Sequence, residues 1–180
     1  MKKIASLLLL AFFVSCSFGT EYATLQRISD GDTFTFRSAE KGKFRCRLFG
    51  IDTPEKFAGK KLDRDAKACN IGVEKMKEAG EVSTKYAEEA LQIGKSYKIS
   101  VRDKDHYGRY ICEVYVPHLA QGSYNKAIVA EGYAVAYVKY IPNATERREY
   151  NKLQAEAKRN GAGLWGNSAR MMECLAKEAM

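Results

Sequence analysis

The sequence predicts an α+β fold, a small closed β-barrel of five strands with about three flanking helices. Two observations predict it. Five short β-rich stretches alternate apolar with polar residues and are parted by Asp-Gly and other turn signals. A helical pattern separates the third stretch from the fourth, and two more helical patterns follow the fifth. The length of 180 residues suits one domain with a small appendage, and a hydrophobic fraction of 46% suits one core.

Residues 22–28 alternate weakly and read as the first strand. Ser29-Asp30-Gly31-Asp32 reads as the turn that follows, because Asp-Gly is a strong hairpin signal. Residues 33–37 put Phe34 and Phe36 on one face, and 38–43 read as a polar turn. The third strand, 44–51, stops before Pro54, which lacks the N–H that a central strand must donate. Residues 56–61 read as a basic loop containing Gly59, in which Lys60 and Lys61 could touch phosphate but read slightly better as solvated. Residues 62–79 read as helix, interrupted at Asn70-Ile71-Gly72 and broken by Gly80. A clearer helix over 83–93 spaces Tyr86, Ala90 and Ile93 for one buried face and ends at Gly94.

The fourth strand, 97–102, turns Ile99 and Val101 inward. After a turn over 103–109 comes the fifth, 110–116. Asn125 reads as the cap of a short helix that runs to Glu131 and is stopped by Gly132. Residues 133–138 read as extended, and Pro142-Asn143 as a turn. Asn143-Ala144-Thr145-Glu146 resembles a capping box. The helix it starts runs to about 160, with Tyr150, Leu153 and Ala157 on one face, and ends at Gly161. Leu164-Trp165 is expected to pack back on the body. The main domain is expected over 20–167, with a helical extension over 168–180.

Formal net charge is +8, which favours polyanionic partners such as nucleic acid or an anionic membrane surface. The first sixteen residues read as a secretory signal peptide. Lys2 and Lys3 precede a short apolar run over 4–14, then Ser15-Cys16-Ser17. The run is short for a membrane-spanning helix. Phe13-Val14-Ser15-Cys16 also resembles a bacterial lipoprotein cleavage box, with an unusual Phe in first position. The leader therefore leaves two outcomes open: free export to the periplasm or exterior, or a membrane tether through acylated Cys16.

The chain's chemistry centres on Arg47-Leu48-Phe49-Gly50-Ile51-Asp52-Thr53-Pro54-Glu55. A strand carries a cation in and delivers two carboxylates at its exit. Arg47 and Asp52 are five apart, so a regular strand would face them oppositely. Gly50 lies between them and offers a bulge that reunites them. Upstream, Asp30 and Asp32 share a face in extended chain, and with Asp52 they could gather around a hard cation. An EF-hand is excluded, because a twelve-residue loop from Asp30 would end at Lys41. Downstream, Asp105-His106-Tyr107-Gly108-Arg109 offers a second arginine. Two guanidinium forks suit the oxygens of a phosphate whose charge grows during hydrolysis. Taken singly, each stretch reads equally well as an ordinary turn or strand end.

As an ordered set, DGDT at 30–33, RLFGIDTPE at 47–55, DHYGR at 105–109 and the tail over 125–165 resemble the staphylococcal nuclease (thermonuclease) family. The resemblance spans about residues 22–166. It implies a five-stranded OB-type barrel and calcium-dependent hydrolysis of DNA and RNA to products with 3′-phosphates. It implies that Asp32 and Asp52 bind Ca2+ by side chain and Thr53 by its carbonyl, with Asp30 a neighbour that helps set the site. Arg47 and Arg109 match the family's catalytic arginines, and Glu55 the residue that activates or positions the attacking water. Tyr107 and Tyr137 match tyrosines of the nucleotide pocket. Three features depart from the pattern. One extra residue precedes Pro142, so either Lys139 or Tyr140 takes the place of a second pocket tyrosine. His106 stands where lysine is common, and the segment over 63–80 is long.

Export would place the cysteines in an oxidising compartment. Cys46 and Cys112 fall inside apolar strand patterns and read as buried small hydrophobes. Cys69 and Cys174 lie in segments that look like additions to the family fold. They are the candidate disulfide, tying the tail to the body. The spacing fits no zinc pattern. Two further readings compete with the nuclease: a barrel that binds nucleic acid without cutting it, and a lipid-anchored structural protein of the envelope. The first predicts the loss of at least one of Asp32, Arg47, Asp52, Glu55 and Arg109, yet all five are present. The second leaves that set unexplained.

Overall fold

A computed structural model describes residues 19–180. The expected leader over 1–16 lies outside the described residues. The strands are β1 (Thr20–Ile28), β2 (Thr33–Ser38), β3 (Gly42–Leu48), β4 (Ile51–Asp52), β5 (Ser96–Lys104), β6 (Tyr110–Tyr115) and β7 (Val135–Ala136). The helices are α1 (Lys60–Cys69), α2 (Val73–Ala90), α3 (Tyr124–Ala130), α4 (Ala144–Asn160), α5 (Leu164–Asn167) and α6 (Ala169–Glu178). A 3₁₀ turn covers Val138–Tyr140.

Five strands close into a barrel in the order β1-β2-β3-β6-β5. Neighbours are antiparallel except β3 and β6, which run parallel and register Cys46 with Tyr110 and Leu48 with Cys112. Alternation fills the interior with Leu25, Phe34, Phe36, Cys46, Leu48, Ile99, Val101, Cys112 and Val114. A second apolar cluster joins α1, α2, α4, α5 and α6 through Leu62, Met76, Ala157, Trp165, Met172 and Leu175. The tail over 168–180 thus helps build that second core.

Several local expectations yield to packing. The third strand does not run to Ile51. It ends at Leu48, and Gly50 at φ +73° turns the chain into β4. The described residues hold six α-helices rather than about three. Gly80 does not break a helix but sits inside α2. Ile93 lies beyond that helix and is 58% exposed, while Ser83, Thr84 and Ala87 form the buried face. Ser123, not Asn125, caps α3, its hydroxyl accepting from the Lys126 amide. Asn143 does cap α4, accepting from the amides of Thr145 and Glu146. The return bond of a capping box is absent, because the Glu146 carboxylate reaches Arg102 at 2.7 Å.

The cysteines also need a correction. Cys46 and Cys112 are fully buried, as expected, but they are bonded to each other across the parallel pair β3/β6. Cys69 at the end of α1 is bonded to Cys174 of α6.

Candidate functional site

Three segments deliver carboxylates and arginines to one open cleft of about 1100 Å³. The first is the Asp30–Asp32 turn between β1 and β2. The buried Tyr124 hydroxyl donates to the Gly31 carbonyl at 2.9 Å and holds the turn. A side chain at Gly31 would come within 2.8 Å of Thr53 Cγ2, so the missing Cβ lets the turn lie against Thr53.

The second segment is the exit of β3. β4 pairs with β7, and the Tyr137 amide donates to the Gly50 carbonyl at 2.8 Å. The turn at Gly50 brings Arg47 back onto Asp52. Its Nη2 donates to Asp52 Oδ1 at 2.5 Å and to the Ile51 carbonyl at 3.2 Å, while Nη1 pairs with Asp32. Asp32 Oδ2 accepts from the Thr53 amide and hydroxyl, both at 3.0 Å. One guanidinium therefore bridges the two carboxylates expected to hold the metal.

The third segment is the β5–β6 hairpin. Asp105 Oδ1 accepts from the Tyr107 and Arg109 amides, and Oδ2 from Arg109 Nε at 2.7 Å. Gly108 at φ +77° closes this turn and aims Arg109 into the cleft. Arg109 faces the same space as Arg47 without touching the Asp32–Asp52 cluster.

Lys61 and Asp65 complete the cleft, and Asn125 supports it from behind. The basic loop expected over 56–61 stops at Gly59, and Lys60 and Lys61 open α1. Lys61 Nζ lies 2.7 Å from Glu55 Oε1, 3.3 Å from Asp52 Oδ2 and 3.1 Å from Asp65 Oδ2. Asp65 is buried, and its other oxygen accepts from Arg64. The available signal was the i,i+4 spacing of Lys61 and Asp65, which share a face once α1 is known to start at Lys60. Asn125, read as a helix cap, is fully buried. Its amide donates to the Phe49 and Cys112 carbonyls and accepts from the Val114 amide, stitching the end of β3 to β6.

Charge balance follows from this packing. Burial pushes the Asp52 carboxyl up, but Arg47 and Lys61 outweigh it and hold its pKa below the usual range. Burial pushes Lys61 down, but Asp52, Glu55 and Asp65 more than offset it and its pKa is raised. Asp30 is raised by burial, which Arg47 and Thr33 only partly offset. Both members of the Lys61–Asp52 pair are thus charged at neutral pH.

Of the expected pocket residues, Tyr137 lines the cleft and its ring lies 5.4 Å from that of Tyr140. Lys139 and Tyr140 fall in the 3₁₀ turn, and Tyr140, not Lys139, joins the lining. Tyr107 stays outside the lining, 74% exposed, between His106 and Arg109.

Gly80 explains how the Glu55 loop is seated. A Cβ at Gly80 would come within 2.7 Å of Pro54 O, Glu55 C and Lys56 N, all backbone atoms. α2 therefore supports the loop by direct backbone approach. Gly80→Ala at an exposed helical site would stabilise by up to about 1 kcal/mol. Here we expect destabilisation of about 1–3 kcal/mol with reduced activity, because the loop must move. Thermal unfolding and a cleavage assay check this, and a more stable, fully active variant would contradict the close approach.

The family profile described as Staphylococcal nuclease homologue matches residues 45–167. The chain belongs to this family. The match takes in Arg47, Asp52, Glu55 and Arg109 and begins downstream of Asp32. Curated relatives agree. Over 152 residues the chain is 27% identical to Endonuclease YhcR of Bacillus subtilis, which covers 83% of this chain but only 12% of that protein. It is 26% identical over 151 residues to Probable endonuclease LCL3 of Komagataella phaffii, covering 77% of this chain and 66% of that one. It is 28% identical over 169 residues to an uncharacterized endonuclease of Haemophilus influenzae, covering 93% and 80%.

Asp32, Asp52 and the Thr53 carbonyl are oxygen donors of the kind a hard cation takes. Arg47 reaches both carboxylates at once, so the two already share one cationic partner. Among the described residues no three His, Cys, Asp or Glu side chains form a metal cage.

Proposed function

We propose that this protein is an endonuclease that hydrolyses phosphodiester bonds of DNA and RNA with little sequence specificity. The observation that carries the reading is the convergence of Asp32, Arg47, Asp52, Glu55 and Arg109 on one cleft. Asp32, Asp52 and the Thr53 carbonyl would hold Ca2+, which supplies Lewis-acid stabilisation of phosphate charge when bound. Arg47 and Arg109 bind phosphate oxygens and stabilise the charge that develops on them. Glu55 accepts a proton from the attacking water. Water oxygen bonds to phosphorus as the P–O5′ bond breaks, and the departing 5′ oxygen takes up a proton. The products carry a 3′-phosphate and a 5′-hydroxyl. Tyr137 and Tyr140 offer faces on which a base can stack.

Export, with or without a tether at Cys16, is the localisation we propose. The charged and apolar pattern of residues 2–16 supports it. Mass spectrometry of the mature N-terminus distinguishes an acylated Cys16 from a free end.

The test is to incubate the purified protein with single-stranded DNA, double-stranded DNA and RNA, in calcium or in chelator. We expect calcium-dependent cleavage of all three, weakening steeply as salt rises. Salt-sensitive binding without cleavage, in calcium or magnesium, would favour the non-catalytic binding barrel instead.

A further inference from the structure

We propose that Lys61 is a positioning residue for Glu55, and that Asp65 holds Lys61 to that task. The inference rests on the nuclease reading above.

Glu55 stands on a loop, between β4 and α1, with about a quarter of its side chain exposed. A carboxylate that serves one water must point one way, and an exposed loop does not ensure that. Lys61 does so by holding Oε1 at 2.7 Å, which leaves Oε2 for the water. A lysine is ordinarily a poor locator, since four rotatable carbons carry its charge. This ammonium is different because its nitrogen lies within 3.3 Å of three carboxylates, those of Asp52, Glu55 and Asp65.

Asp65 is the anchor of that tripod. It lies one helical turn beyond Lys61, is buried, and has Arg64 on its second oxygen. Neither Lys61 nor Asp65 has another task in the mechanism above. α1 is itself held, with Leu62, Ala66 and Cys69 buried and Cys69 bonded to α6. The line of support runs from α6 through the disulfide and α1 to Lys61, and from there to Glu55. Gly80 of α2 supports the backbone of the same glutamate. An ammonium already surrounded by three carboxylates is a weak partner for a substrate phosphate, so the arrangement favours positioning over phosphate binding.

The test uses Lys61→Met and the isosteric Asp65→Asn, each alone and combined with Glu55→Gln. Single-turnover rates and KM are measured at saturating calcium, and urea unfolding checks that each variant is folded. We expect Lys61→Met to lower kcat by about 10- to 100-fold with KM little changed, the scale on which a misplaced group costs rate. Asp65→Asn lowers it in the same direction by less. In the Glu55→Gln background neither substitution lowers kcat further, because the group they position is already lost. A rise in KM alone, an unchanged or faster kcat, or additive losses in the Glu55→Gln background would overturn the proposal. If the native chain and Glu55→Gln behave as the nuclease reading requires while Lys61→Met is normal, this inference alone fails. If the native chain cleaves nothing, both fail.

Discussion

Glu55→Gln should reduce cleavage by roughly 10²–10⁴-fold, the usual contribution of a general base. The amide keeps the shape of the side chain and removes its ability to accept a proton from water. The fold should hardly notice. Glu55 is partly exposed, and an ion pair in that setting is worth about 0–1 kcal/mol. Lys61 also keeps Asp52 and Asp65 as partners. The measurement is the single-turnover rate on a short oligonucleotide beside a urea unfolding curve. A folded Glu55→Gln variant with native turnover would remove Glu55 from the mechanism.

The largest effect on stability should come from Cys69→Ser combined with Cys174→Ser. The bond closes a loop with a sequence separation of 105. Loss of a native bridge typically costs about 2–5 kcal/mol, and long loops lie toward the upper end in the chain-entropy account. Cys69 is buried in the second apolar cluster and the half-buried Cys174 packs against it, so a serine hydroxyl at 69 adds a burial penalty. The midpoint of urea unfolding under non-reducing conditions reads the loss. An unchanged midpoint would mean that α1 and α6 are held by packing alone. Activity should fall as well, because α1 carries Lys61 to Glu55.

Much of the barrel and of the site was legible along the chain. Alternation with period two marks the five strands, because each buries one face in the barrel and a strand reports burial through near neighbours. The Asp105–Arg109 turn depends on residues within five positions, so its form is local. Gly50 between Arg47 and Asp52 announced a break that returns one to the other, and φ +73° there accomplishes it.

Where distant segments meet, the local signal was silent or misleading. An apolar strand context correctly placed Cys46 and Cys112 inside. Their partnership arises only when β3 and β6 close the barrel, at a separation of 66 residues. Gly80 has the chemistry of a helix breaker, yet α2 runs through it because the helix must approach the Glu55 backbone too closely for any side chain. Asn125 looks like a cap, but its amide is used to join β3 and β6. Lys61 reads as solvated because its three carboxylates, though near in sequence, belong to β4, the loop after it and α1, and only the fold turns these onto one ammonium. Sequence by itself determined the barrel's strands and the identity of its acids and arginines, since these follow from neighbours and period. Tertiary structure alone decided that Cys46 pairs with Cys112, that Gly80 is a contact and that Lys61 enters the site, because each depends on elements that only folding brings together.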